Sequence, residues 1–211
     1  RAAAKCLTHL HRLFILARMP EITSPEQAPS PAGCVLWLTG LSGSGKSTLS
    51  TLLVEQLERA GRRVLVLDGD AVRTGLCRGL GFSDEDRRGN IRRVAEVARL
   101  SADAGLICLV ALVSPFRDAR EMARQIVGPA RFLEIYLSAS LGTCEDRDVK
   151  GLYARARAGQ VADMTGLTSP YEPPLSPDLC LDNAKLTKQE SLQAVLELLQ
   201  RLEGASIDEI S

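Results

Sequence analysis

A glycine-rich segment with one lysine and two adjacent hydroxyls is the part of the chain best suited to chemistry. Gly40, Gly43 and Gly45 let the backbone turn tightly, so that its N–H groups can point at an anion. Lys46 can reach the outer phosphates of a nucleotide, and the Ser47 hydroxyl can ligate Mg²⁺. The segment matches the Walker A loop and predicts that the chain grips a nucleoside triphosphate. It consists of Gly40, Leu41, Ser42, Gly43, Ser44, Gly45, Lys46, Ser47 and Thr48.

The elements around this loop favour phosphate binding over a chance match. An apolar run at 34–38 precedes the loop and predicts a strand, and apolar residues at helical spacing follow it and predict a helix at about 46–60. The N-terminal dipole of that helix favours a bound anion. Strand, loop and helix come in the order that the motif requires, whereas a Gly/Ser-rich turn that matches by chance needs no such order.

Two carboxylates, Asp68 and Asp70, end the next predicted strand at 63–68. Magnesium-dependent phosphoryl transfer needs a carboxylate near the metal and a group that orients or deprotonates the acceptor hydroxyl. Because Asp and Gly also favour turns, the alternative is a strand-ending turn without chemistry. The position at a strand end beside the phosphate loop favours the catalytic interpretation.

A run of basic residues follows these carboxylates, with one asparagine among them. Guanidinium groups bind phosphate-like oxygens with two parallel hydrogen bonds, so the run suits an anionic acceptor. Arginines on helices more often face solvent, and the run alone leaves that alternative open. The residues are Arg73, Arg87, Asn90, Arg92 and Arg93.

Apolar strands alternate with helices along the chain after residue 33. This alternation predicts an α/β fold, a P-loop NTPase-type three-layer sandwich whose central parallel sheet is covered by helices on both faces. Strands are predicted at 34–39, 63–68, 106–113, 131–137 and 179–181. Helices are predicted at 46–60, 90–104, 117–127 and 140–147, and after Thr187, which forms a capping box with Glu190.

Ligands of such sheets bind beyond the carboxyl ends of the strands. The phosphate loop, Asp68 and Ser114 all follow predicted strands, so we expect them to meet there. The polar, Gly-rich stretch between Asp68 and the helix at 90–104 has no predicted element. The region 148–178 is a loop of unusual length, and such loops are functional lids or disordered segments.

Composition argues against several classes of partner. Lys+Arg and Asp+Glu balance at 26 each, which predicts neither nucleic-acid binding nor an anionic-membrane surface. No apolar stretch approaches the roughly 18 residues of a membrane span. The six cysteines lack zinc spacing and suit a reducing, cytoplasmic compartment, with Cys34 and Cys108 predicted as buried thiols.

Three parts of the chain are expected. Residues 1–32 are predicted as an N-terminal extension that ends in a Pro-rich linker, residues 33–204 as the catalytic domain, and residues 205–211 as a tail. Residues 1–19 are basic, with apolar residues at helical spacing. They suit an organellar transit-like helix, the end of a preceding domain, or sequence upstream of a start at Met19.

The detailed pattern resembles the adenylylsulfate (APS) kinase family, whose members phosphorylate the 3′-hydroxyl of APS to give PAPS. The resemblance covers about 33–204 and implies an ATP- and Mg²⁺-dependent kinase of sulfate assimilation. Seven segments in order make it specific. They are G-L-S-G-S-G-K-S-T at 40–48, L-D-G-D-A-V-R at 67–73, L-G-F-S at 80–83, D-R-R-G-N-I-R-R at 86–93, S-P-F-R at 114–117, R-D-V-K-G-L-Y at 147–153 and T-G-L-T-S-P-Y-E at 165–172.

The resemblance implies roles on the ATP side of the site. Lys46 and the rest of the phosphate loop hold the phosphates, and Arg147 lies against the ATP adenine. Asp68 organises Mg²⁺ together with Ser47 and acts as base toward the 3′-hydroxyl. Asp70 supports it from the substrate side.

Other matching residues are implied to hold APS. Arg73, Arg87 and Asn90 match groups that hold its phosphosulfate and ribose. Phe82 matches an aromatic that stacks on the APS adenine, and a plain core phenylalanine is the alternative. Lys150 matches a substrate contact at the start of a mobile lid that closes over both nucleotides.

Ser114 has two interpretations. In some family members the matching serine is described as a phosphoserine intermediate. Alternatively, it hydrogen-bonds backbone or substrate at a strand end. In-line transfer between two bound nucleotides needs no covalent step, which favours the hydrogen-bonding role.

Three residues depart from the family pattern. Met164 stands where a second aromatic is common, which predicts weaker but not absent binding of the APS adenine. Phe116 replaces a tyrosine and loses one hydroxyl. Val149 replaces a proline before Lys150 and should loosen the entry to the lid.

The alternatives come from three classes. Another small-molecule P-loop kinase, for shikimate, gluconate or a nucleoside monophosphate, would share the loop and sheet. A GTP switch is disfavoured because no D-x-x-G signature follows a strand and no N-K-x-D signature is present, and a non-catalytic module would be expected to lose Lys46, Ser47 or Asp68. The resemblance also implies a homodimer and allows an ATP sulfurylase domain before residue 1.

Overall fold

The computed structural model describes residues 33–208, with side chains described for 33–204. The extension and linker predicted for residues 1–32 lie outside the described residues, as do the side chains of the predicted tail at 205–211. No helix between residues 33 and 208 is long and apolar enough to cross a membrane.

Strands and helices alternate along the described chain. The strands are β1 (Cys34–Thr39), β2 (Val64–Asp68), β3 (Ile107–Ala111), β4 (Phe132–Ser138) and β5 (Leu179–Asp182). The helices are α1 (Lys46–Arg59), α2 (Gly69–Thr74), α3 (Asp84–Asp103), α4 (Arg117–Val127), α5 (Leu141–Arg147), α6 (Leu152–Arg157) and α7 (Lys188–Asp208). The strands form one sheet in the order β2-β3-β1-β4-β5, and every neighbouring pair is parallel. This sheet confirms the predicted α/β class.

The two faces of the sheet are covered by different helices. Because side chains alternate along a strand, Val35 and Trp37 of β1 point to one face and Leu36 and Leu38 to the other. The first pair packs into a buried cluster with residues of α3 and α4, and the second pair packs with residues of α1 and α7. The predicted three-layer sandwich is therefore confirmed.

Two stretches that the sequence predicts as irregular contain helices. Helix α3 begins at Asp84 rather than near residue 90, because the Ser83 hydroxyl caps the N–H of Asp86 at 3.1 Å and acidic residues fill the first turn. Helix α2 also falls in this stretch, with the Asp68 side chain as its cap. The region 148–178 is not a continuous loop, since α6 forms where the Asp148 carboxylate accepts hydrogen bonds from the N–H groups of Tyr153 and Ala154.

Other sequence predictions agree with the structure. Helix α4 has the predicted bounds, and the capping box forms, with Glu190 N–H donating to Thr187 Oγ1 at 3.2 Å and Thr187 N–H to Glu190 Oε2 at 2.7 Å. Cys34 and Cys108 are buried free thiols, as predicted. Burial raises the pKa of each to about 12, so both stay protonated at neutral pH.

The strand register brings the predicted site residues to one edge of the sheet. Asp68 ends β2 opposite Ala111 at the end of β3, and Thr39 ends β1 opposite Tyr136 of β4. The phosphate loop follows β1, and Ser114 follows β3. The carboxyl ends of β1, β2 and β3 thus meet at a single site.

Candidate active site

The phosphate loop joins β1 to α1 in a backbone conformation that needs glycine. Gly43 and Gly45 have φ of 78° and 102°, values that residues with a side chain rarely adopt. A Cβ at Gly45 would also lie 2.8 Å from the Nδ2 atom of Asn183, and one at Gly43 would lie 3.0 Å from the Cys144 carbonyl. The loop is therefore packed tightly between β1, α5 and the residue after β5.

Lys46 opens α1 with its ammonium group folded along the loop. Its Nζ donates hydrogen bonds to the carbonyls of Gly40 and Leu41, each at 2.8 Å. Burial lowers the pKa of this lysine to about 8. A phosphate bound in the loop would add negative charge beside Nζ and raise that pKa again.

Ser47 and Asp68 bring the phosphate loop and β2 together. The Ser47 hydroxyl donates to Asp68 Oδ2 at 3.0 Å, while Asp68 Oδ1 accepts from the Asp70 N–H at 3.0 Å. A hydroxyl and a carboxylate oxygen at this distance are the hard oxygen donors that Mg²⁺ prefers. Between residues 33 and 208 no group of three or more His, Cys, Asp or Glu side chains could hold a metal alone. This donor pair fits Mg²⁺ only if phosphate oxygens and waters complete the shell, as is usual for nucleotide-bound magnesium.

The Asp70 side chain faces the region 148–178, called the lid below, rather than the donor pair of Ser47 and Asp68. Its Oδ2 forms an ion pair with Nζ of Lys150, two residues before α6. Both side chains are more than half exposed, so the pair contributes little to stability. Its position matters more, since it links the start of the lid to α2 at the mouth of the site.

Phe82 and Arg73 form an exposed cation–aromatic pair on the acceptor side. The Phe82 side chain is 53% exposed, so the alternative of a core phenylalanine is wrong. The guanidinium carbon of Arg73 lies 4.2 Å from the ring centroid, and its Nη1 donates to the Gly81 carbonyl at 3.0 Å. The Arg73 guanidinium thus holds the Phe82 ring, and the exposed part of the ring is available to stack on an aromatic ligand.

Arg87 connects α3 to the lid and is buried. It donates from Nε to the Phe82 carbonyl at 2.8 Å, from Nη1 to Thr165 Oγ1 at 2.7 Å and from Nη2 to the Asp163 carbonyl at 2.6 Å. Burial lowers the pKa of Arg87, and the nearby charge of Arg73 lowers it further. Two desolvated cations this close together favour an anion between them.

Asn90 has the one orphaned amide of the predicted site. It is buried, and its Nδ2 has no hydrogen-bond partner among the described residues. A buried donor without a partner costs about 1–3 kcal/mol, which an acceptor on a bound ligand would recover. Asn90 lines the same cavity as Arg73, Phe82 and Arg87.

One cavity of about 960 Å³ connects the phosphate loop with this acceptor side. Lys46, Ser47 and Asp68 line one part, Arg87 and Asn90 another, and the residues from Arg147 to Thr165 cover it. The volume and the two anion-binding regions suit two nucleotides placed end to end. Gly40, Leu41 and Ser44 of the predicted phosphate loop do not line this cavity, whereas its other residues and the predicted residues of the acceptor side do.

The lid lies against the phosphate loop. The Tyr153 hydroxyl of α6 donates to the Ser42 carbonyl at 2.9 Å, and Met164 packs beside Tyr153 and Cys144. Met164, which stands where a second aromatic is common in the family that the sequence resembles, is buried yet still lines the cavity. Val149 is almost fully exposed beside the lid entry.

Arg147 and Asn183 hold the other flank of the phosphate loop. Arg147 donates to the Gly43 carbonyl at 3.3 Å and to the Asn183 carbonyl at 2.9 Å. Asn183 donates from Nδ2 to the Ser44 carbonyl at 2.9 Å and accepts from the Ser191 hydroxyl at 3.1 Å. Sequence reasoning missed Asn183, although its position just after a strand at the site edge was a usable signal.

Ser114 sits in a strained, fully bonded position. Its φ of 41° is the only value in the left-handed region at a non-glycine residue between 33 and 208. Its Oγ accepts from Trp37 Nε1 at 3.1 Å and donates to Thr39 Oγ1 at 2.9 Å. These contacts, which sequence reasoning also missed, agree with a hydrogen-bonding role. Ser114 still lines the cavity.

Comparison with known proteins identifies relatives of this site. The sequence model of adenylylsulphate kinase matches residues 32–182. An adenylyl-sulfate kinase of Phocaeicola vulgatus is 46% identical over 196 residues, covering 93% of this chain and 96% of its own length. One of Prochlorococcus marinus is 54% identical over 179 residues, covering 85% and 89%.

Solved structures give the same picture. The Mycobacterium tuberculosis APS kinase in complex with AMPPNP and APS superposes with a TM-score of 0.78 and 45% identity, covering 81% of this chain and 99% of that one. A hexameric APS kinase from Thiobacillus denitrificans has a TM-score of 0.62 and 32% identity, covering 82% of this chain and 29% of that chain. A gluconokinase from Sinorhizobium meliloti, at 17% identity and a TM-score of 0.55, shares the fold alone.

Proposed function

The chain belongs to the adenylylsulphate kinase family, and we infer that it transfers the γ-phosphate of ATP to the 3′-hydroxyl of APS, giving PAPS and ADP. The observation that carries this function is the single cavity in which a phosphate loop faces an exposed aromatic, the buried Arg87 and the partly buried Arg73. A kinase for a sugar acid such as gluconate would not need the stacking surface, and a single carboxylate would not need both cations.

On the ATP side, we propose that Lys46 and the loop N–H groups bind the β- and γ-phosphates. Ser47 and Asp68 would hold Mg²⁺ together with phosphate oxygens, and the metal, when bound, neutralises charge on those oxygens. Arg147 would lie against the adenine, and its bonds to the Gly43 and Asn183 carbonyls keep it at the loop.

On the acceptor side, we propose that Phe82 stacks on the APS adenine, with Arg73 fixing the ring from its other face. Arg87 and Asn90 would bind the phosphosulfate and ribose, and the unpaired Nδ2 of Asn90 supports this role. Lys150 would leave its pair with Asp70 and turn toward the substrate.

The transfer itself needs positioning more than new covalent chemistry. The 3′-oxygen attacks the γ-phosphorus as the bond to the β–γ bridging oxygen breaks, and ADP leaves with that electron pair. Asp68 orients the hydroxyl and accepts its proton. The lid, held by Tyr153 and Arg87, keeps water from competing with the acceptor.

A substrate panel tests the assignment against the runner-up, another small-molecule P-loop kinase. ADP release is measured with APS, gluconate, shikimate and nucleoside monophosphates in parallel. We expect turnover with APS to exceed every other acceptor by at least about 100-fold, because only APS uses both the stacking and the cationic contacts. Equal turnover with another acceptor would remove the assignment.

We also propose a homodimer, a cytoplasmic location and a fused or associated ATP sulfurylase. The hexameric relative from Thiobacillus denitrificans supports self-association, and the buried free thiols suit a reducing compartment. Light scattering during gel filtration tests the dimer, and a monomer at micromolar concentration would contradict it.

A further inference from the structure

Arg120 of α4 carries a buried charge outside the residues discussed so far. Its side chain is 3% exposed, and Nε donates to Glu134 Oε1 of β4 at 2.6 Å, where the glutamate is 12% exposed. A buried ion pair is stable only when its remaining donors are also satisfied. The partners of Nη1 and Nη2 of Arg120 therefore indicate which parts of the structure the ion pair supports.

Both remaining nitrogens bind main-chain carbonyls at the site. Nη1 donates to the Ser114 carbonyl at 2.7 Å and Nη2 to the Glu172 carbonyl at 2.8 Å. Ser114 belongs to the strained turn that lines the cavity, and Glu172 belongs to the far end of the lid region. One guanidinium thus joins the acceptor-side turn to the end of the lid.

Glu172 is the firmly anchored end of that lid. Its N–H donates to the Pro115 carbonyl at 2.8 Å, and its Oε2 accepts from the Arg117 N–H at 2.8 Å. At the other end, Gly151 has a φ of 62° beside the exposed Lys150. The lid is therefore anchored at Glu172 by its own N–H and carboxylate, while the ion pair at its other end, between Lys150 and Asp70, is exposed.

We propose that Arg120 is a positioning residue, which sets the turn at Ser114 and the fixed end of the lid in one register for APS phosphorylation. Glu134 acts through it by neutralising the buried charge. The proposal rests on the proposed function, because it concerns how the acceptor and the lid meet. The Nη bonds are the essential contacts, since a lysine could keep the charge pair but not both carbonyls.

Arg120→Lys tests this role, with Arg124→Lys as the matched control one turn later on α4. Arg124 pairs with Asp178, lies 4.0 Å from Oε2 of Glu134 and bonds the Phe132 carbonyl, and its lysine variant keeps the charge beside both carboxylates. It does not contact Ser114 or Glu172. We expect Arg120→Lys to lower kcat/KM for APS by about 10- to 100-fold, the effect of one lost charge-assisted hydrogen bond or slightly more. KM for ATP should stay within about twofold, and the ratio of ATP hydrolysed to PAPS formed should rise.

The control variant should match wild type in all three quantities. The proposal would be overturned if Arg120→Lys and Arg124→Lys had the same kcat/KM for APS, or if Arg120→Lys lost as much affinity for ATP as catalytic efficiency toward APS. If wild type itself formed no PAPS, the proposed function would fail instead. Should Arg120→Lys not fold, Arg120→Met combined with Glu134→Leu replaces the ion pair with apolar groups. The double variant should show the same APS-specific loss of kcat/KM. A double variant with the kcat/KM of wild type for APS would contradict the proposal.

Discussion

The Ser47 hydroxyl donates a 3.0 Å hydrogen bond to Asp68 Oδ2, which ties the start of α1 to the end of β2. The two residues are 21 positions apart in sequence and come from different strand–helix units. Their contact sets a magnesium-competent oxygen pair directly beside the phosphate loop. The proposed transfer depends on this junction, because in it Asp68 would both hold the metal and face the acceptor hydroxyl.

The low pKa of Lys46, about 8, makes ATP binding dependent on pH. In the free protein the ammonium loses its proton as pH rises through about 8, whereas bound phosphates raise the pKa, so ATP binding takes up a proton there. Affinity for ATP should therefore fall above about pH 8, by at most about tenfold per pH unit. Calorimetry in buffers of different ionisation enthalpy measures the uptake. Lys46→Met should bind ATP weakly and take up no proton on binding. Wild-type protein that binds ATP without proton uptake would contradict the predicted role of Lys46.

Arg87→Ala should weaken the handling of APS and leave ATP binding nearly intact. The variant removes a charge-assisted contact to the acceptor and the two bonds to Asp163 and Thr165 that hold the lid, so kcat/KM for APS should fall by about 10- to 100-fold. Arg88→Ala is the control, because Arg88 pairs with Asp118 on the surface. ATP affinity measured by titration should be unchanged in both variants, and an equal loss of ATP affinity in Arg87→Ala would show that the arginine is misassigned.

Asn183→Asp should raise KM for ATP with little effect on KM for APS. The change replaces the donor to the Ser44 carbonyl with an acceptor and adds a negative charge near the triphosphate. Loss of one hydrogen bond together with repulsion predicts about a tenfold effect or more. Asp182→Asn, at the preceding exposed position, is the control. Steady-state kinetics decide, and an Asn183→Asp enzyme with unchanged KM for ATP would refute the role.

Ser114 should not become phosphorylated during turnover. Its Oγ is buried between Trp37 and Thr39, so covalent transfer would break both bonds at a strained residue. Incubation with ATP labelled at the γ-phosphate, in the absence of APS, should leave the protein unlabelled. Stable label on wild type that is missing from Ser114→Ala would establish the phosphoserine alternative.

The sequence predicted the sheet and the position of the phosphate loop well because both depend on local signals. Unbroken apolar strands predict a buried parallel sheet, and the phosphate loop is contiguous in sequence. The start of α3 was placed too late, since its first turn is polar and relies on the Ser83 cap rather than on apolar periodicity. Helix α6 was missed for the same reason, because the Asp148 carboxylate initiates it.

The contacts that sequence reasoning missed are those between distant segments. Asn183 reaches the phosphate loop across 139 positions, and Arg87 reaches Thr165 across 78. No spacing rule within one element predicts such pairs. The resemblance to a family supplied the residues on the acceptor side, whereas the structure supplied the orphaned amide of Asn90 and the exposed ring of Phe82.

Direct detection of PAPS formed from ATP and APS is the measurement that tests the account most closely. Wild type should form PAPS and ADP in equal amounts. Asp68→Asn should lose about 100- to 10,000-fold in kcat, the usual worth of a general base, while Asp70→Asn, which breaks only the pair with Lys150, should lose far less. ADP release without PAPS, or an Asp68→Asn enzyme as active as wild type, would contradict the assignment of this cavity as a two-nucleotide kinase site.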